Sequence, residues 1–98
     1  MKIAAHHYII VQDILSKYPY KFYAFGSRAK DKARLTSDLD LCYKESIPAL
    51  IIAEIENLFE ESNLPFKVDL IDWKRCSEDF KKLIEQDLVP ITKLSKKE

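Results

Sequence analysis

Phe25-Gly26-Ser27-Arg28 and, after residues 29–36, Ser37-Asp38-Leu39-Asp40-Leu41 make up the stretch that decides how this chain is built. Gly26 is its only glycine, where an average chain of this length would carry about seven. The one residue free to take positive φ is spent on a single turn, directly before a serine hydroxyl. Residues 20–25, Tyr-Lys-Phe-Tyr-Ala-Phe, are short and aromatic-rich and read as a strand that Gly26 breaks. Residues 27–36 are polar and basic without an apolar period, and read as a helical turn plus loop. Asp38 to Lys44 reads as a second strand, with Asp38, Asp40 and Cys42 on one face and Leu39, Leu41 and Tyr43 on the other.

Outward from that stretch, helical and extended periods alternate. Upstream, residues 3–18 read as an amphipathic helix with Ile3, His7, Ile10, Val11, Ile14 and Tyr18 along one side. Tyr18-Pro19 ends it, because the residue before a proline avoids the α region. Downstream, Pro48 opens a second helix, where a fixed φ and a missing N–H do no harm. Ile51, Ile55, Leu58 and Phe59 give that helix its buried stripe. Glu60 to Pro65 connects to a third strand, Phe66 to Trp73. There Phe66, Val68 and Leu70 share one face, and Asp69, Ile71 and Trp73 the other. Ser77 reads as the N-cap of a last helix, with Glu78 and Asp79 at its positive end. Phe80, Leu83, Ile84, Asp87 and Leu88 mark its stripe, and Pro90 lies just beyond it. The order helix, strand, strand, helix, strand, helix predicts an α+β fold: a small mixed sheet of about three strands, helices packed on one face, the other face open. Residues 1–98 read as one domain, with a frayed tail at 94–98.

Composition narrows the function. Sixteen basic residues balance sixteen acidic ones, which does not favour a nucleic-acid-binding surface. No apolar run approaches the roughly 18 residues of a membrane span, and the N-terminus lacks the apolar stretch of a signal peptide. Cys42 and Cys76 are the only cysteines and form no C-x-x-C pair, so a cytoplasmic protein with two reduced thiols is expected. His6-His7 faces two directions on a helix and does not read as a joint metal site.

The chemistry lies in the acidic residues. Carboxylates two apart on a strand project to the same side, roughly 6–7 Å apart. They repel unless a cation sits between them. Mg²⁺ suits them: it takes oxygen ligands, keeps several waters and is shared with substrate phosphates. Asp69 is the best third carboxylate, since Asp72 points to the opposite face at the strand's end. A tight turn followed by a hydroxyl, Gly26-Ser27, suits a phosphate. Together these features point to phosphoryl or nucleotidyl chemistry on a metal–nucleotide complex.

The same residues resemble the nucleotidyltransferase superfamily that shares its catalytic core with DNA polymerase β. The family pattern is Gly-Ser, a spacer of about ten residues, Asp-x-Asp, then an acidic residue in a later strand. Here it reads Gly26-Ser27, residues 28–37, Asp38-Leu39-Asp40, and Asp69. The text is similar to the minimal nucleotidyltransferases, or MNT proteins, over essentially the whole chain. It departs at Asp31, where many relatives carry a second glycine. The resemblance implies the palm-like nucleotidyltransferase fold, with Asp38, Asp40 and Asp69 as catalytic, metal-binding residues for two Mg²⁺ ions. It implies that Gly26 and Ser27 hold the phosphates of an NTP, with Arg28 the first choice for added positive charge among Arg28, Lys30, Lys32 and Arg34. It further implies AMP transfer from ATP to a tyrosine of a HEPN-domain toxin encoded alongside, which makes the chain an antitoxin that works in a homo- or hetero-oligomer. Two other readings stand beside it: a catalytically silent MNT-fold module that neutralises its partner by occlusion, and a transferase for a small molecule.

Overall fold

The computed structural model describes residues 1–34 and 37–94. Helix α1 spans Ala5–Leu15, strand β1 Tyr23–Phe25, β2 Leu39–Tyr43, helix α2 Ala49–Glu60, β3 Val68–Asp72, α3 Glu78–Glu85 and β4 Val89–Pro90. A single 3-10 turn, Trp73–Arg75, links β3 to the last helix. Among the described residues the strands form one four-stranded sheet in the order β3-β2-β1-β4. β1 runs antiparallel to both β2 and β4, whereas β2 and β3 are parallel and α2 makes the crossover between them.

The fold class follows the sequence pattern, with one strand more than expected. β4 has two residues and no alternation to reveal it. Its Pro90 sits opposite Tyr23 on the edge of the sheet, where a missing N–H is tolerated. The segment that follows is tied down as well: Ile91 N–H donates to Phe22 O at 2.9 Å, and Leu94 N–H to Ser16 Oγ at 3.0 Å. The rest of the tail expected to fray, residues 95–98, lies outside the described residues.

The alternation read along β2 and β3 is the one observed. Leu39, Leu41, Tyr43, Val68 and Leu70 enter the main core with Val11, Ile14 and Leu15 of α1 and Ile55 and Phe59 of α2. Leu15 lay outside the stripe read for α1, yet it is fully buried because the helix stops there and turns at Ser16. The opposite face of the sheet is not fully open. α3 lies on it, and Phe80, Ile84 and Leu88 pack with Phe25, Cys42, Ile71 and Trp73. Phe25 and Phe80 meet edge to face at 5.9 Å. Phe25, Cys42 and Ile71 put apolar side chains on this second face, and that is why it needs a cover. Leu83, expected in the α3 stripe, is instead 68% exposed, and Asp87 lies past the helix end. Ser77 caps α3 as expected, its Oγ accepting from Phe80 N–H at 3.2 Å.

Candidate active site

Pairing between β2 and β3 puts Asp40 level with Asp69 on neighbouring strands. Pairing between β1 and β2 puts Asp40 opposite Phe25, one residue before Gly26. The glycine turn and the two carboxylates are therefore brought together by strand register. Asp40 and Asp69 are half-buried, and Asp38, just ahead of β2, is exposed.

Gly26 is required twice. Its φ is +80°, and a Cβ added there would stand 2.8 Å from Asp40 Oδ2. The Asp40 carboxylate thus lies against the glycine itself, in space that any side chain would take away. Burial, the charge of Asp69 and then that of Asp38 push the Asp40 carboxyl above the ordinary carboxylate range. Negative charge is concentrated here.

Beyond Gly26 the chain makes one closed turn. Lys32 N–H donates to Ser27 O at 2.9 Å and Asp31 N–H to Arg28 O at 3.3 Å. Asp31, with φ +60°, is the left-handed residue that closes it. These bonds are those of a Schellman cap, whose left-handed residue is most often glycine. Aspartate is among the few residues that tolerate that conformation. Ser27 stands at the start of the turn and is exposed.

Asp72 takes no part in this group: its Oδ1 accepts from Lys74 N–H at 3.0 Å and caps the 3-10 turn. Cys42 is buried in the second cluster and its thiol is pushed up to about 11, chiefly by that burial, so it is a filler and not a nucleophile. Trp73 packs in the same cluster. Lys44 lies 4.8 Å from its ring centroid and 5.1 Å from that of Tyr23, an arrangement of cation and aromatic faces that occupies surface a base would need for stacking.

Arg28 is buried, only 3% exposed. Its Nε donates to Ser37 O at 2.9 Å and one terminal nitrogen to Lys2 O at 3.0 Å. Its guanidinium lies 4.0 Å over the Phe66 ring. The arginine belongs to the frame of the site. No local pattern announces this role, because its partners lie up to 38 positions away in sequence (Arg28 to Phe66) and three of them are backbone carbonyls. Lys30 is likewise engaged, 3.3 Å from Asp87.

Residues 10–97 match the family described as polymerase beta, nucleotidyltransferase. The chain belongs to this nucleotidyltransferase family. It is 39% identical over 100 residues to the Haemophilus influenzae protein named "Probable protein adenylyltransferase MntA", an alignment covering 98% of this chain and 88% of that one. Two Methanocaldococcus jannaschii proteins, each named "Putative protein adenylyltransferase", are 38% and 40% identical over 82% and 76% of this chain and 85% and 80% of their own lengths. The enzyme is thus a nucleotidyltransferase that moves a nucleoside monophosphate. Among the described residues, no helix of this nucleotidyltransferase is long and apolar enough to cross a membrane.

Proposed function

We propose that this nucleotidyltransferase transfers AMP from Mg²⁺–ATP to a tyrosine hydroxyl of a HEPN-domain toxin encoded beside it, and so acts as its antitoxin. The observation that carries the reading is the Asp40 carboxylate seated on Gly26 and level with Asp69, its pKa raised by burial and then by the charges of Asp69 and Asp38. Such a group favours a hard cation with oxygen ligands. Among the described residues no group of three or more His, Cys, Asp or Glu side chains is arranged to hold a metal ion by itself. Mg²⁺ suits an incomplete ligand set, because it retains waters and takes further oxygens from substrate phosphates.

Asp38 and Asp40 would hold Mg²⁺ ions in this proposal, with Asp69 as the third carboxylate ligand. When bound, the metal neutralises the triphosphate and the charge that develops on the entering and leaving oxygens. The chain's own residues do the rest. Gly26 keeps the space beside Asp40 clear, Ser27 donates its hydroxyl to a phosphate oxygen, and Asp69 receives the proton of the acceptor hydroxyl. The acceptor oxygen bonds to the α-phosphorus as the bond to the β-phosphate bridging oxygen breaks, and pyrophosphate leaves. The protein acceptor is supported by relatives named as protein adenylyltransferases.

Co-expression with the neighbouring HEPN protein tests the antitoxin role and separates transfer from occlusion. Asp38→Asn and Asp40→Asn are expected to bind the toxin yet fail to relieve its growth arrest. Full protection by both variants would mean that the chain neutralises its partner by contact alone.

A further inference from the structure

Arg28 is the one buried charged side chain among the described residues. Burying a guanidinium is costly unless its donors are met. Here they are met by parts of the chain that carry the site. Nε holds the carbonyl of Ser37, the residue before Asp38. One terminal nitrogen holds Lys2 O, and Lys2 N–H returns a 2.7 Å bond to Arg28 O. The other reaches Arg34 O at 3.4 Å, and Arg34 N–H in turn donates to Ser37 Oγ at 2.9 Å. The flat face of the guanidinium covers Phe66, just ahead of the strand that carries Asp69. Next to Phe66, Lys67 O accepts from Leu39 N–H at 2.8 Å, at the entry of β2. One side chain therefore joins the Ser27 turn, the Asp38 approach and the approach to β3. The charge of Asp38 also opposes the effect of burial on Arg28, which places that carboxylate within its field.

We propose that Arg28 is a positioning residue for Asp38: it sets where that carboxylate stands relative to the Gly26-Ser27 turn, and it does not bind the nucleotide. Lysine cannot replace it. Three bonds in fixed directions and a stacked face need a planar fork, and an ammonium has neither the plane nor the reach. The inference rests on the reading of Asp38 as a metal ligand, so the test includes a control for that reading.

Titration of the purified chain with Mn²⁺ in the presence of ATP, followed by electron paramagnetic resonance, measures metal affinity. Equilibrium dialysis of ATP without divalent metal measures nucleotide affinity separately. Arg28→Lys and Arg28→Ala are expected to weaken Mn²⁺ by about tenfold, the low end of what losing an outer partner costs a metal site, with metal-free ATP affinity unchanged. Millimolar methylguanidinium should restore Mn²⁺ affinity in Arg28→Ala, because the cavity left behind keeps the carbonyls and the Phe66 face. Phe66→Leu, which leaves every hydrogen bond in place, should weaken Mn²⁺ in the same direction but less, and with Arg28→Lys it decides the matter if Arg28→Ala does not fold. Weakened metal-free ATP with normal Mn²⁺ affinity would make Arg28 a phosphate ligand and overturn the proposal, as would folded variants with wild-type Mn²⁺ affinity. Asp40→Asn serves as the control: if it leaves Mn²⁺ binding intact, the metal-site reading itself fails, whatever the arginine variants do.

Discussion

Gly26 shows how much one residue can decide. Its backbone lies in the left-handed region and its missing side chain makes room for the Asp40 carboxylate. Gly26→Ala must carry a left-handed penalty of roughly 1–2 kcal/mol and also push Asp40 aside. A displacement near 1 Å in a catalytic group costs about 100-fold in rate. The expected result is therefore a loss of stability on that scale by denaturant unfolding, together with a fall of about 100-fold in steady-state nucleotidyl transfer. The sequence pattern places Gly26, Ser27, Asp38 and Asp40 close along the chain, and strand alternation puts Asp69 on the face of Asp40, which the β2–β3 register bears out. The surroundings of Arg28 are not legible in the same way. Its position beside Ser27 suggests a phosphate contact, whereas its environment is set by Lys2, Ser37 and Phe66, and a linear reading has no access to such distant partners.

At the level of elements, the helix and strand types read from the sequence all occur, and the boundaries are shorter. α1 covers Ala5–Leu15 and not 3–18, because the chain leaves the helix at Ser16 and reaches Tyr18-Pro19 through a turn. β1 is three residues long: Tyr23–Phe25 pair with β2, and Tyr23 and Ala24 also with β4. β4 was invisible because its identity comes from pairing with β1 and not from any pattern of its own. α3 is the element on which the second apolar cluster depends, and its cap is Ser77. Ser77→Ala should cost about 1 kcal/mol, read as a lowered urea midpoint with an unchanged slope. A neutral outcome would show that packing of Phe80 and Ile84 alone holds the helix start.

For the whole molecule, the sheet acts as a two-sided plate. One face is filled by α1 and α2, and the other is shared between α3 and the acidic group. The one-sided arrangement expected from the sequence failed because the apolar Phe25, Cys42 and Ile71 share the face of Asp40 and Asp69 and require cover. The acidic group also makes stability depend on pH. The folded chain holds the Asp40 proton more tightly than the unfolded chain does. Without divalent cations the group therefore costs stability once pH rises through its raised folded value, and costs nothing below the ordinary aspartate range near about 3.9. Asp40→Asn is expected to melt higher than wild type at neutral pH in chelator, with the advantage vanishing in acid. Equal melting temperatures at neutral pH would contradict the crowding of charge described above.

Asp38, Asp40 and Asp69 are proposed to form one metal-dependent nucleotidyl-transfer site. The decisive experiment is incubation of the chain and its HEPN neighbour with ATP labelled at the α-phosphate. Mg²⁺-dependent label is expected on a tyrosine of the partner, lost in each of Asp38→Asn, Asp40→Asn and Asp69→Asn. Label that persists in chelator, or that survives in all three variants, would contradict it.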